Sequence, residues 1–80
     1  MSGHIKRLST LKVGQQGQVS RVEAEDGIQR RLLEMGFVRG ENVTVLKLAP
    51  LGDPMELVLK GYHLSLRRSE SACIFVEVEA

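Results

Sequence analysis

From Met55 onward the chain alternates apolar and polar residues with a period of two. Met55, Leu57 and Leu59 alternate with Glu56, Val58 and Lys60, and Tyr62, Leu64 and Leu66 alternate with His63, Ser65 and Arg67. Ile74, Val76 and Val78 repeat the pattern against Phe75, Glu77 and Glu79. Successive strand residues point to opposite faces, so these runs predict three half-buried strands, the first two joined at Gly61. Residues 68–72 fit one short helical turn before the last of them. Upstream, residues 41–49 carry Val43 and Val45 on one side and Thr44, Leu46 and Leu48 on the other, which marks a central or strongly bent strand. Val19 and Val22 give residues 18–22 a broken period and predict a strand with a bulge. Leu8, Leu11 and Val13 make a short turn or extended entry that ends at Gly14 and Gly17.

One segment, residues 26–36, has a helical period. Asp26 can cap it, Gln29 three residues later completes a capping-box-like pattern, and Gly36 suits the left-handed position after the last turn. Ile28, Leu32 and Met35 share a stripe, while Leu33 points about 100° away from Leu32. Phe37 falls where a Schellman ending brings it against Leu32. The helix end is therefore expected to carry a small apolar knob of Leu32, Leu33 and Phe37.

Five short strands and one helix in 80 residues make a single, mainly β domain. So short a chain leaves few edges unpaired by closing into a small antiparallel barrel, with the helix between strands one and two over an open end. The domain is expected over residues 8–80, with residues 1–7 a flexible lead. There is no internal repeat or low-complexity run.

Composition narrows the function. Domains of this size bury only about 60% of their unfolded surface, so any large apolar residue left outside is informative. Lys plus Arg number 11 and Asp plus Glu 10, so no large field steers the chain to nucleic acid or anionic membrane. With Phe37, Tyr62 and Phe75 as its aromatics and no Trp, it lacks the stacking platform of most single-strand binders. Cys73 is the only cysteine, which precludes an internal disulfide or a multi-cysteine zinc site and fits a reducing, cytoplasmic compartment. The start lacks the apolar core of a secretion signal, and no run approaches the roughly 20 apolar residues of a spanning helix.

Candidate chemistry is sparse. The stretch from Gly14 to Gly17 lacks the lysine and helix of a phosphate loop, and no Ser, His and acid cluster has suggestive spacing, so no catalytic residue is expected. His4, His63, Cys73 and the scattered carboxylates have no metal-ligand spacing, and no metal or cofactor is implied. Cys73 reads as a small core residue. Arg30, Arg31, Arg67 and Arg68 read as a solvated face balanced by Glu34 and Glu70, or as a surface for an acidic partner.

The series Gln29-Arg-Arg-Leu-Leu-Glu-Met-Gly36, then Gly40, then Ala49-Pro-Leu-Gly-Asp-Pro54, then Gly61-Tyr-His-Leu-Ser-Leu-Arg-Arg68 with Glu70 and Ala72, closely resembles the FeoA family over residues 8–78. The resemblance implies an SH3-like barrel in the cytoplasm, a non-enzyme that binds or regulates the ferrous-iron transporter FeoB, whose cytoplasmic side hydrolyses GTP. It implies contact with the membrane only through that partner. A nucleic-acid-binding small barrel, an iron sensor or chaperone delivering iron to the transporter, and a weak homo-oligomer are the open alternatives.

Two segments are candidates for the partner surface. Leu32, Leu33, Met35 and Phe37 are either core or a docking knob, with Leu32 the most sensitive position in the second reading. Leu51, Gly52, Asp53 and Pro54 form either a rigid connection or a contact, and both readings hold together because a pre-ordered turn loses little entropy on binding.

Overall fold

The structure, a computed structural model, describes residues 3–79. The alternating apolar positions turn to one side of a single antiparallel sheet of six strands, ordered β1-β6-β2-β3-β4-β5. These are β1 Gly3–Arg7, β2 Gln16–Val22, β3 Asn42–Leu48, β4 Met55–Leu59, β5 Tyr62–Leu66 and β6 Ile74–Glu79. A 3-10 turn at Leu8–Thr10, helix α1 at Asp26–Glu34 and helix α2 at Arg68–Ser71 complete it. The inward side chains of β2 to β6 merge with Leu8, Leu11, Leu32 and Phe37 into one core.

Two bulges bend the sheet around that core. The register of β2 against β6 shifts between Val19 and Arg21, so Val19 opposite Val76 and Val22 opposite Ile74 both face inward. The broken period of β2 announced this bulge. In β3 the shift against β4 falls between Val45 and Lys47, leaving Val45 opposite Leu57 and Leu48 opposite Met55. Leu46 is the extra residue and stays 42% exposed. The apolar residues on both sides of β3 thus reflect a change of phase in a bent strand.

Among the described residues the strand count is six, not five. Gly3–Arg7, expected to be a flexible lead, pairs with β6 from Gly3 opposite Glu79 to Arg7 opposite Phe75. Residues 1 and 2 of that lead lie outside the described residues. The pairing is made by backbone, and the side chains from His4 to Arg7 are exposed, so hydrophobic patterning carries no trace of it. The added strand puts α1 between the second and third strands, and the sheet keeps two open edges, β1 and β5.

The ends of α1 differ from one another in how well they match the sequence pattern. Asp26 and Gln29 form no capping box: Glu25 is the residue before the first turn, without a side-chain cap, and Gln29 Nε2 donates instead to the Val22 carbonyl at 2.9 Å. That bond satisfies a carbonyl at the end of β2 and ties the helix to it. The C-terminal end is the expected Schellman motif, with Phe37 N–H donating to Leu32 O at 3.1 Å, Gly36 N–H to Leu33 O at 3.0 Å, and Gly36 at φ 113°. The Tyr62 hydroxyl donates to the Met35 carbonyl and fixes this end on the β4–β5 hairpin. Ile28, at the other end, is 38% exposed and drops out of the expected stripe.

The β4–β5 hairpin turns at Lys60 and Gly61, with φ 54° and 82° between the paired Leu59 and Tyr62, a type I′ geometry. Lysine is a poor residue for the first of these positions and asparagine a favoured one. Lys60→Asn is expected to stabilise the domain by about 0.5–1 kcal/mol, a rise of several degrees in Tm. Calorimetry checks this, and the loss of the Lys60–Glu41 ion pair at 3.7 Å subtracts little because both groups are solvated.

Candidate docking site

The connection between β3 and β4 is a tight turn. Gly52 N–H donates to Ala49 O at 2.7 Å and Ala49 N–H to Pro54 O at 3.1 Å. Pro50 takes the second position, where its fixed φ is wanted, Leu51 the third, and Gly52 closes the turn at φ 80°. Leu51 is 92% exposed, far more than any other large apolar side chain of the described residues. It is held out by a backbone that hydrogen bonds and a proline have already ordered.

Helix α2 ties this turn to α1. Asp53 Oδ1 accepts the Arg68 N–H at 3.0 Å. Glu70 accepts the Arg67 N–H at 3.0 Å through Oε1 and pairs with the Arg31 guanidinium through Oε2. A Cβ at Gly52 would lie 3.1 Å from Arg68 Nη1, so the Arg68 guanidinium rests against the turn next to Leu51. The result is an apolar tip with a cation beside it. Asp53, expected at a partner surface, thus holds the turn in place. Asp53→Ala is expected to lower stability by about 1 kcal/mol through the lost acceptor at the start of α2, read by urea unfolding.

The helix knob is divided. Leu32 and Phe37 are fully buried and cannot meet a partner, because the Schellman ending that brings them together also turns both inward. Met35 is half-buried against the core. Leu33 is 41% exposed in a shallow strip with Asp26, Gln29, Arg30 and Glu34. Arg31 faces α2, and Leu33, two residues on and about 200° round the helix, faces away from it. Leu33 and Leu51 therefore stand on opposite flanks of α1 and do not form one patch.

Other surface features were only partly foreshadowed. The bond from Gly14 N–H to Val45 O at 2.8 Å sets the loop carrying Val13, 58% exposed, alongside the Leu46 bulge. The out-of-phase Leu46 was the signal for this pair. Of the four arginines singled out, Arg31 is paired with Glu70, while the expected Arg30–Glu34 pair is absent from the ion pairs of the described residues. Phe75 is flanked by the Arg7 and Arg21 guanidiniums at 4.9 and 4.2 Å from its ring centre, a cross-strand cation–π stack on the outer face.

His4 and His63 lie on opposite edge strands, and Cys73 Sγ approaches Ser69 O at 3.5 Å. Among the described residues no three His, Cys, Asp or Glu side chains are grouped to hold a metal, and no helix is long and apolar enough to cross a membrane.

The FeoA domain family matches residues 6–78. The Fe(2+) transport protein A/Fe(2+) transporter FeoB fusion protein of Porphyromonas gingivalis is 46% identical over 72 residues, covering 90% of this chain and 8% of the fusion protein. The chain thus corresponds to a small part of that relative. The solution structure of FeoA from Chlorobium tepidum superposes with a TM-score of 0.85 at 44% identity, over 94% of this chain and 71% of the other. FeoA of Stenotrophomonas maltophilia complexed with zinc, described as an SH3 domain protein, gives 0.77 at 36% identity and covers 86% of both chains. The SH3-like fold is thereby shown.

Proposed function

The chain belongs to the FeoA domain family, and from that premise we propose that it is an accessory protein of ferrous-iron uptake that binds the transporter FeoB at its cytoplasmic, GTP-hydrolysing region. The observation that carries this reading is the P. gingivalis relative, in which the same domain and FeoB share one polypeptide. Covalent linkage holds two modules at roughly millimolar effective concentration, which keeps a contact between them occupied. The role is one of contact, with no chemistry assigned to the chain's own side chains.

Leu51 on its ordered turn, with Arg68 beside it, is the element offered to the transporter. An apolar anchor presented without loss of loop entropy suits a small interface, and the guanidinium favours an acidic rim around the receiving pocket. The test is retention of detergent-solubilised FeoB on the immobilised chain, with GTP, with GDP and without nucleotide. Retention in at least one nucleotide state is the expected result. Failure in all three overturns the reading.

A further inference from the structure

The two open edges of the sheet are not alike. β1 carries His4, Lys6 and Arg7, and charged edge residues repel unwanted strands. β5 reads Tyr62-His-Leu-Ser-Leu66, with no lysine, arginine, proline or bulge within it. The hairpin geometry decides which backbone groups are free. A two-residue turn closes on a hydrogen-bonded pair, here Leu59 and Tyr62, and such pairs alternate along an antiparallel ladder. Tyr62, Leu64 and Leu66 therefore bond inward to β4, and His63 and Ser65 direct their N–H and C=O groups away from it. Among the described residues, no backbone hydrogen bond outside the β4 ladder involves Tyr62–Leu66. Both His63 and Ser65 are exposed.

Charge at the ends of this edge selects the occupant. Lys60, in a solvated 3.7 Å pair with Glu41, lies at one end, and Arg67 and Arg68 at the other, all three exposed. Arg67 N–H is already taken by Glu70, so the free edge stops there. We propose that the outer edge of β5 accepts, as a seventh strand, an extended segment of a partner protein with alternating apolar residues and acidic residues at both ends. Main-chain bonds to His63 and Ser65 supply the register, and the flanking cations read the acidic ends. A second copy of the chain is the poorer occupant: antiparallel pairing about Leu64 would set Lys60 opposite Arg68, like charge against like. The proposal holds whichever protein supplies the segment, and so stands apart from the transporter reading.

The test uses the full chain, 15N-labelled, with two synthetic peptides: Asp-Glu-Thr-Val-Thr-Val-Thr-Glu-Asp and its counterpart with lysine at every acidic position. Hydrogen exchange at the His63 and Ser65 amides is expected to slow about tenfold with the acidic peptide at about ten times its Kd, and to stay unchanged with the basic one. Ser65→Pro removes an outward N–H without touching the β4 ladder, a place where edge strands tolerate proline. It should keep the native exchange pattern of the core and abolish the protection at His63. Unchanged exchange at both amides, equal protection by the basic peptide, or undiminished protection at His63 in the Ser65→Pro chain would each overturn the proposal. So would sedimentation showing a dimer that Ser65→Pro dissolves.

Discussion

Replacing Leu32 with glutamine is expected to unfold a large fraction of the domain instead of leaving a folded chain that has lost a partner. Leu32 is fully buried in the core, and its carbonyl accepts the Phe37 N–H that closes the helix. Removing a buried leucine side chain costs about 2–5 kcal/mol, and an amide placed there without partners adds about 1–3 kcal/mol. Small domains sit near the lower end of the roughly 5–15 kcal/mol typical of native proteins, so the sum approaches the whole stability. Urea unfolding followed by circular dichroism measures the effect. Leu33→Gln, one residue away but 41% exposed, is expected to stay within about 0.5 kcal/mol of the parent chain. Comparable unfolding midpoints for the two variants would contradict the burial that separates them.

That contrast shows what the sequence could and could not convey. Period-two alternation placed β4, β5 and β6, and broken alternation marked the bulge of β2 and the bend, though not the bulge, of β3, because each inward position had to be filled by an apolar side chain in a chain this small. The Schellman ending was legible from Gly36 because few residues other than glycine take φ 113°. Strand β1 was not legible. It contributes ladder hydrogen bonds and no core side chain, and backbone pairing leaves no signature in residue type.

The candidate docking site was half legible for a related reason. A helical wheel shows that Leu33 departs from the stripe of Leu32 and Met35, but not how deep the stripe lies. Only the tertiary seating of α1, by Tyr62 on Met35 and by Arg31 on Glu70, determines that Leu32 is buried and that Leu33 faces away from α2. The turn after Ala49 was easier, since two prolines and a glycine specify it locally. Asp53 holds that turn through the Arg68 amide, 15 residues away in sequence, a contact that no local pattern encodes.

If the proposed contact with FeoB is made through the turn after Ala49, Leu51→Ser is expected to leave the fold intact and to weaken that binding about thirtyfold, the loss typical of a buried anchor worth roughly 2 kcal/mol. At 92% exposure Leu51 contributes no packing, so its truncation should move the unfolding midpoint by less than about 0.5 kcal/mol. The backbone that displays it is held by the Ala49, Gly52 and Pro54 hydrogen bonds and by Asp53, none of which involves the Leu51 side chain. Any loss is therefore a loss of contact. Leu33→Ser and Leu46→Ser, exposed on other faces at 41% and 42%, serve as matched controls and should change affinity less than about threefold, within the range of surface contacts that only exclude water. Arg68→Ala keeps the amide that Asp53 holds and removes only the guanidinium, so it should slow association and flatten its salt dependence while sparing most of the affinity. Titration of the FeoB cytoplasmic region against each variant reads all four. If Leu33→Ser shows the thirtyfold loss and Leu51→Ser shows none, the contact belongs to the helix strip, and the turn after Ala49 is only a rigid connection between β3 and β4.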